Sequence, residues 1–286
     1  MMRCMFRIIA AALGLLLLVS PTLADPPASK FFGAVRTPTS GAPISIGSYA
    51  KGCLSGAQQL PADGDHFQAM RLSRDRRWGT PELISYIEAL GPSAAQDGWP
   101  GILIGDMGGA RGGPMPTGHA SHQIGLDVDI WLTPSPGHTL STKERESLSA
   151  TSMLVPGKGN TRDVDPKKFT EGVRMLIYRA ATMPGVARIF VAPGIKKAMC
   201  AITWRDRAFL NKLRPWYGHD DHMHVRLQCP PGAGQCLPQA PAPDGDGCGA
   251  DLDYWFTAEP YKPTKPAPPL TVADLPKACA AVLTAK

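Results

Sequence analysis

The run Gly118-His119-Ala120-Ser121-His122-Gln123-Ile124-Gly125-Leu126-Asp127-Val128-Asp129-Ile130-Trp131 decides how the chain reads. From Leu126 onward it alternates apolar and acidic residues. In a strand, residues two apart point to one face, so Leu126, Val128 and Ile130 enter a core while Asp127 and Asp129 stand together on the other face. Two histidines precede this strand, His122 lying at or just before its start. A second run, Gly218-His219-Asp220-Asp221-His222-Met223-His224-Val225-Arg226-Leu227, has the same character. Its strand from His222 to Leu227 projects His222 and His224 together and turns Met223 to the opposite face.

Of the 7 histidines in the chain, His119, His122, His219, His222 and His224 fall in these two runs. Imidazole is the commonest metal ligand in proteins and the acid–base group best matched to neutral pH. If the two strands are sheet neighbours, His122, Asp129 and His224 converge. Two imidazoles and one carboxylate leave a fourth tetrahedral corner open, the pattern of a catalytic zinc site and not of a closed structural one. Asp127 reads as orienting a ligand histidine or capping the loop. Asp220 and Asp221 read equally as tuning a neighbouring imidazole or as solvated loop charges. Arg71 and Asp106 read as substrate contacts or as a structural ion pair. His66 and His138 stand alone and read as ordinary structural histidines.

Working outward, Thr80-Pro81 opens a helix with Thr as N-cap and Pro at the first helical position, and Gly91 can close it. Leu83, Ile84, Ile87 and Leu90 share its buried face. Gly101 to Gly105 reads as a short buried strand, and the Gly-rich stretch Gly108 to Gly118 as a rim loop. A helix starts near Thr170, a strand spans Val186 to Val191, and short helices cover Lys196 to Met199 and Arg205 to Leu213. From Cys229 onward, 11 of 58 residues are proline, which reads as a tail of about residues 230–286 laid over the domain. The expected fold is α+β: a small antiparallel sheet bearing the site, flanked by helices, with long disulfide-pinned loops.

Composition bounds the rest. The chain has 286 residues, 43% hydrophobic and 19% charged, enough apolar content for a sizeable core. Its 30 Gly and 29 Pro argue against a helical bundle. One long apolar run exists, Ile8 to Val19, behind Arg3 and Arg7 and ahead of the small residues Thr22-Leu23-Ala24. This is a cleavable secretory signal over residues 1–24, too short to span a membrane, and implies export with no stable membrane anchor. Residues 25–286 then form one domain. Cys53, Cys200, Cys229, Cys236, Cys248 and Cys279 remain, an even count that reads as disulfides in an exported chain, with 15 pairings open. Removing Arg3 and Arg7 with the signal takes the net charge from +6 to +4, a basic excess that suits an acidic polymer. No basic run interleaved with aromatics points to nucleic acid. No Gly-x-Ser-x-Gly elbow is present, and Ser48-Tyr49-Ala50-Lys51, though it fits Ser-x-x-Lys, lacks its partner motifs.

The spacing His122-x6-Asp129 with His222-x-His224 resembles the motif pair of the zinc peptidase group that contains lysostaphin, D-Ala-D-Ala metallopeptidases and sonic hedgehog. The closer likeness is to the penicillin-insensitive murein endopeptidase family. It is carried by Ile104-Gly105-Asp106, by Gly118 to Ile130, and by Arg214-Pro215-Trp216 through His222-Met223-His224-Val225-Arg226-Leu227, and extends from about Ser45 to Cys279. The resemblance implies one zinc ion held by His122, Asp129 and His224, with His119 an additional ligand or a close neighbour of the ion, and His222 and His219 as active-site histidines. It implies the bridges Cys53–Cys279, Cys200–Cys248 and Cys229–Cys236. It further implies a periplasmic endopeptidase acting on the D-alanyl–meso-diaminopimelyl cross-links of peptidoglycan, insensitive to penicillin. Some members carry an Asp and a His three residues apart at an additional metal site. The matching stretch here, Pro156-Gly157-Lys158-Gly159, has neither, so a second metal is not expected. The sequence leaves the oligomeric state open. A zinc D-Ala-D-Ala carboxypeptidase or dipeptidase is the alternative, but those carry a Glu shortly before the distal histidine, where Asp221 and His222 stand here. A non-catalytic hedgehog-like zinc module is the other.

Overall fold

The computed structural model describes residues 25–159 and 161–285; the expected export signal, residues 1–24, lies outside them. In chain order the first elements are helix α1 (Ala28–Phe32) and strands β1 (Ile44–Ser48), β2 (Lys51–Ser55), β3 (Gln58–Gln59), β4 (Asp63–Gly64), β5 (Phe67–Ala69) and β6 (Trp78–Gly79). Helix α2 (Pro81–Ala95) leads to β7 (Ile102–Ile104), and a long glycine-rich loop leads to β8 (Asp127–Trp131). Helices α3 (Thr142–Ser147) and α4 (Glu171–Thr182) precede β9 (Val186–Val191), α5 (Pro193–Ala201), β10 (Leu213–Pro215) and β11 (His222–Leu227). The proline-rich tail carries α6 (Ala250–Asp253) and α7 (Ala278–Thr284).

The main sheet is seven-stranded, in the order β10-β9-β11-β8-β7-β5-β4. The strands at its centre, β9, β11, β8 and β7, join antiparallel, while β10 joins β9 and β5 joins β7 in parallel. The α+β expectation thus holds, in a sheet wider than the site alone needs. Its two faces differ sharply. Val128, Ile130, Met223, Val225 and Ile189 point into one core with Leu83, Ile87 and Leu90 of α2 and Leu176 and Ile177 of α4. The opposite face carries Asp127, Asp129, His222, His224 and Arg226, and all but His222 are buried.

Two local expectations are corrected. Helix α2 does not end at Gly91 but runs on to Ala95 through Pro92. A proline inside a helix usually clashes with the preceding turn, yet with glycine before it the pre-proline crowding is relieved. Gly91 serves close approach instead of capping, because a Cβ there would sit 2.6 Å from the carbonyl oxygen of Asp65. The expected helix from Arg205 to Leu213 shrinks to a 3-10 turn over Ala208–Lys212, and Leu213 already begins β10. The Ser48-Tyr49-Ala50-Lys51 stretch is the turn of the β1–β2 hairpin.

Three disulfides join Cys53 to Cys279, Cys200 to Cys248 and Cys229 to Cys236. The first ties the C-terminal helix α7 to the β1–β2 hairpin, against which the N-terminal α1 also packs. There Ala28 and Phe32 of α1, Ile46, Leu275 and Val282 form a small cluster separate from the main core. Arg111, from the glycine-rich loop, is buried against it and donates to the carbonyls of Thr37, Val282 and Leu283. Cys53 and Cys279 are 226 residues apart, so their bridge removes much unfolded-chain entropy. Replacing both with Ala is expected to cost about 3–5 kcal/mol in urea denaturation and to release α7 to proteolysis first.

Candidate metal centre and active-site cleft

The register of β8 against β11 sets Asp129 directly opposite His224 and Asp127 opposite Arg226. β9 completes the face by setting Phe190 opposite His224. Side chains that stand opposite across antiparallel strands are close neighbours, so chain segments about a hundred residues apart meet here without any loop having to fold over.

Asp127 lies at the base, fully buried. Its Oδ1 accepts from Arg226 Nε at 2.7 Å and from His224 Nε2 at 3.0 Å, and its Oδ2 accepts the backbone N–H of His122 at 3.0 Å. Burial alone would raise its pKa, but Arg226 and His224 outweigh it and hold the carboxyl well below the usual range. Arg226 in turn is stacked over Tyr49 at 4.2 Å and Phe190 at 5.2 Å. The bond to Asp127 commits His224 to presenting Nδ1 outward, where it lies 3.4 Å from Asp129 Oδ1.

His122 approaches the same oxygen from the loop, with Nε2 3.4 Å from Asp129 Oδ1. Its backbone is left-handed, at φ 65°, a conformation that costs a non-glycine residue roughly 1 kcal/mol or more and is held here by the bond to Asp127. The loop around it needs glycine. A Cβ on Gly112 would fall 2.0 Å from the Gln123 carbonyl oxygen, and one on Gly125 would fall 2.4 Å from Leu54 Cδ2. Gln123 locks the loop by donating to the Ala50 and Ala120 carbonyls and accepting from the Gly52 N–H.

His119 lies at the other oxygen of the same carboxylate, with Nε2 3.5 Å from Asp129 Oδ2 and 3.0 Å from Asp106 Oδ2. The donor atoms of His119, His122 and Asp129 fall within 4.8 Å of one another, the one such group of three or more metal-binding side chains among the described residues. His122 is 0% exposed, and both its ring nitrogens and Asp129 Oδ1 are buried with no hydrogen-bond partner. Buried polar atoms are rarely left unpaired. An unpaired imidazole nitrogen facing an unpaired carboxylate oxygen, both buried, fits a divalent cation, and the imidazole–carboxylate set suits zinc.

His222 stands at the rim of this group. Its Nδ1 is 2.6 Å from Asp221 Oδ1 and its Nε2 3.8 Å from Asp129 Oδ1. His219 rests its Nδ1 on the Tyr217 carbonyl at 2.8 Å, and burial together with the neighbouring imidazoles pulls its pKa down to about 4. His222 borders a cleft of about 380 Å³ lined by Arg71, Arg74, Gly105, Asp106, Trp131 and Asp221 among others, and His219 lies between two of its lining residues, Gly218 and Asp220. His66 pairs with Asp65 and His138 with Glu144, both well exposed and away from the cleft. Asp220 is held by Ser152 and Arg162. The Pro156–Gly159 stretch is an exposed turn.

Arg226 and Gln123 are working parts that the sequence reading passed over. Arg226 was detectable, two residues beyond His224 on the same face of one strand. Gln123 carried no signal, because two of its three partners lie about seventy residues away. Asp106 and Arg71 do not pair; Asp106 takes Arg76 at 2.8 Å and Arg74 at 3.1 Å instead, while Arg71 donates to the Arg145 and Leu148 carbonyls.

An α+β protein with three histidines and a buried aspartate gathered at the floor of an open cleft is the class that fold and site define. Residues 45–284 match the family model described as penicillin-insensitive murein endopeptidase. Relatives of that name include a protein from Haemophilus influenzae, 44% identical over 83% of this chain and 82% of its own. Another, from Pectobacterium atrosepticum, is 40% identical over 96% of this chain and 95% of its own. A third, from Salmonella heidelberg, is 42% identical over 92% of this chain and 93% of its own. The chain belongs to the penicillin-insensitive murein endopeptidase family.

Burial works to raise the Asp106 pKa, but His119 and Arg76 overcome it and bring it to about 2. A carboxyl lowered on folding stabilises the protein above its unfolded pKa of ~3.9, and that contribution disappears as pH falls toward the folded value. Asp106→Asn is therefore expected to cost ~2 kcal/mol at pH 7, roughly 1 kcal/mol at pH 3 and little at pH 2, measured by urea denaturation at each.

Proposed function

We propose that this chain is a zinc-dependent endopeptidase that hydrolyses the peptide cross-links of peptidoglycan, at the D-alanyl–meso-diaminopimelyl bond, in the periplasm. The observation that carries the reading is the buried, unpartnered His122 ring facing the unpartnered Oδ1 of Asp129 at the floor of the cleft. Family membership supplies the substrate class, and the expected signal over residues 1–24 supplies the compartment.

His122, Asp129 and His224 are assigned as ligands of one ion, and His119, at the second Asp129 oxygen, as an additional ligand. Zinc, when bound, polarises a scissile carbonyl and brings water toward ionisation near neutral pH. Asp127 positions two of the ligands at once, fixing the His224 ring and the His122 backbone. No Glu lies in either histidine run, so the proton transfers fall to imidazole. His222 donates its Nδ1–H to Asp221, which frees Nε2 to take a proton from the attacking water and pass it to the departing amine. The same Asp221 contact stabilises the protonated ring, so His222 holds the proton between the two transfers. His219, kept neutral by burial, offers an unprotonated Nε2 beside it as a second acceptor. A reaction that uses water in place of a serine nucleophile offers β-lactams nothing to acylate.

Purified protein is expected to convert cross-linked muropeptide dimers to monomers, and to stop doing so in chelator. Release of free D-alanine would instead establish a carboxypeptidase, and no change a binding module. His122→Ala is expected to lose both ion and turnover. His222→Ala is expected to keep its zinc by elemental analysis while turnover falls roughly 100-fold or more; near-normal turnover with the ion retained removes His222 from the proton path.

A further inference from the structure

Beside the cleft lies a group of aromatic side chains that the reaction does not use. Trp216 stacks on Tyr217 with ring centroids 5.2 Å apart and an interplanar angle of 30°. Trp255 lies 5.5 Å from Trp216 and 6.1 Å from Tyr254. Trp216 is 41% exposed, and Tyr217 and Tyr254 are each 49% exposed. Large aromatics that touch one another and face water are uncommon on a protein surface and mark a place where something binds.

We propose that Trp216, Tyr217, Tyr254 and Trp255 form a shelf that binds the sugar chain of the cross-linked polymer. This rests on the function proposed above.

The chemistry of the shelf favours a carbohydrate. Every member is Trp or Tyr, so each apolar ring face has an N–H or O–H at its edge. A sugar ring has the complementary make-up, with a face of C–H groups ringed by hydroxyls. A purely apolar partner would be served as well by Leu or Phe, and the Phe that contacts the group, Phe190, is less exposed than Trp216, Tyr217 and Tyr254. Phe190 also gives continuity with the site. Its ring is 6.0 Å from Trp216 and 5.3 Å from His224. Gly218 lines the cleft next to Tyr217, whose carbonyl holds His219. Peptide cross-links are borne on the sugar chain, so a substrate seated in the cleft keeps sugar within reach of the shelf.

The shelf is also built in advance. Trp216 continues from β10 and its N–H donates to the Val191 carbonyl at 2.8 Å. The half that comes from the tail is tied down by the Cys200–Cys248 bridge, the Arg207–Asp246 pair at 2.7 Å and the Arg214–Asp251 pair at 3.4 Å. Tyr261 donates to the Trp255 carbonyl at 2.9 Å. Surfaces ordered before binding lose less freedom when they bind.

The test uses the full mature chain, peptide-free glycan strands and tryptophan fluorescence, with Trp216→Ala, Trp255→Ala and the outer Tyr254→Ala as variants. Glycan strands are expected to change the wild-type fluorescence saturably, and each variant to need about tenfold more for half-saturation. The rate on intact peptidoglycan, divided by the rate on a sugar-free cross-linked peptide dimer, is expected to fall about fivefold or more in the variants. Unchanged fluorescence, an equal fall on both substrates, or a protein dimer that Trp216→Ala dissociates in sedimentation would overturn the shelf. The titration requires no turnover. Cleavage without glycan binding sinks the shelf alone, and glycan binding without cleavage sinks the endopeptidase reading alone.

Discussion

A buried carboxylate with no solvent to satisfy it is the constraint on which this molecule turns. Asp127 must be matched by donors from its surroundings, and it takes them from a strand partner, Arg226, from the neighbouring ring of His224, and from the backbone of His122. An unpaired charge in such a place would cost several kcal/mol, so the three contacts are mutually enforcing. Once they form, two imidazoles from distant parts of the chain are aimed at one spot. The cost of a left-handed His122 is offset by the same contact. Arg226 is itself desolvated and finds cover between Tyr49 and Phe190. The hairpin that carries Tyr49 is thereby recruited to the support of the site.

Around this centre the sheet behaves as a partition. Its lower face is an ordinary apolar core under two helices. Its upper face concentrates nearly all the chemistry of the chain. Asp106 extends the partition to the rim, where one carboxylate oxygen is shared among Arg74, Arg76 and His119 and so fastens the glycine-rich loop over the floor. One wall of the cleft is therefore cationic. The other, around Asp221 and His222, is acidic and titratable.

Much of this was legible in the sequence because period-two patterns survive folding. The alternation through Leu126 to Ile130, and the spacing of His222 and His224, stated which side chains share a face; the register of two strands then brought the faces together. Loop geometry was less legible. That His122 would sit in a left-handed bend depends on its N–H reaching the buried Asp127, and two of the three backbone groups that Gln123 locks belong to a hairpin about seventy residues earlier. The end of α2 was misread because glycine before proline signals a stop locally, whereas here it admits the Asp65 carbonyl. Cysteine spacing alone left every pairing open, and only likeness to relatives narrowed it. The pairing of Asp106 was likewise invisible, since Arg71, Arg74 and Arg76 are equally near in sequence.

Asp129 and His224 face each other across the β8–β11 join, yet 95 positions of chain separate them. A polypeptide emerging in order has its acidic oxygen and first imidazoles long before the last one arrives. Until β11 slots between β8 and β9, the sheet is split into two halves and the floor of the cleft does not exist. Hydrolytic competence is thus tied to the completed sheet, and a chain cut short before β11 would lack the floor of the site.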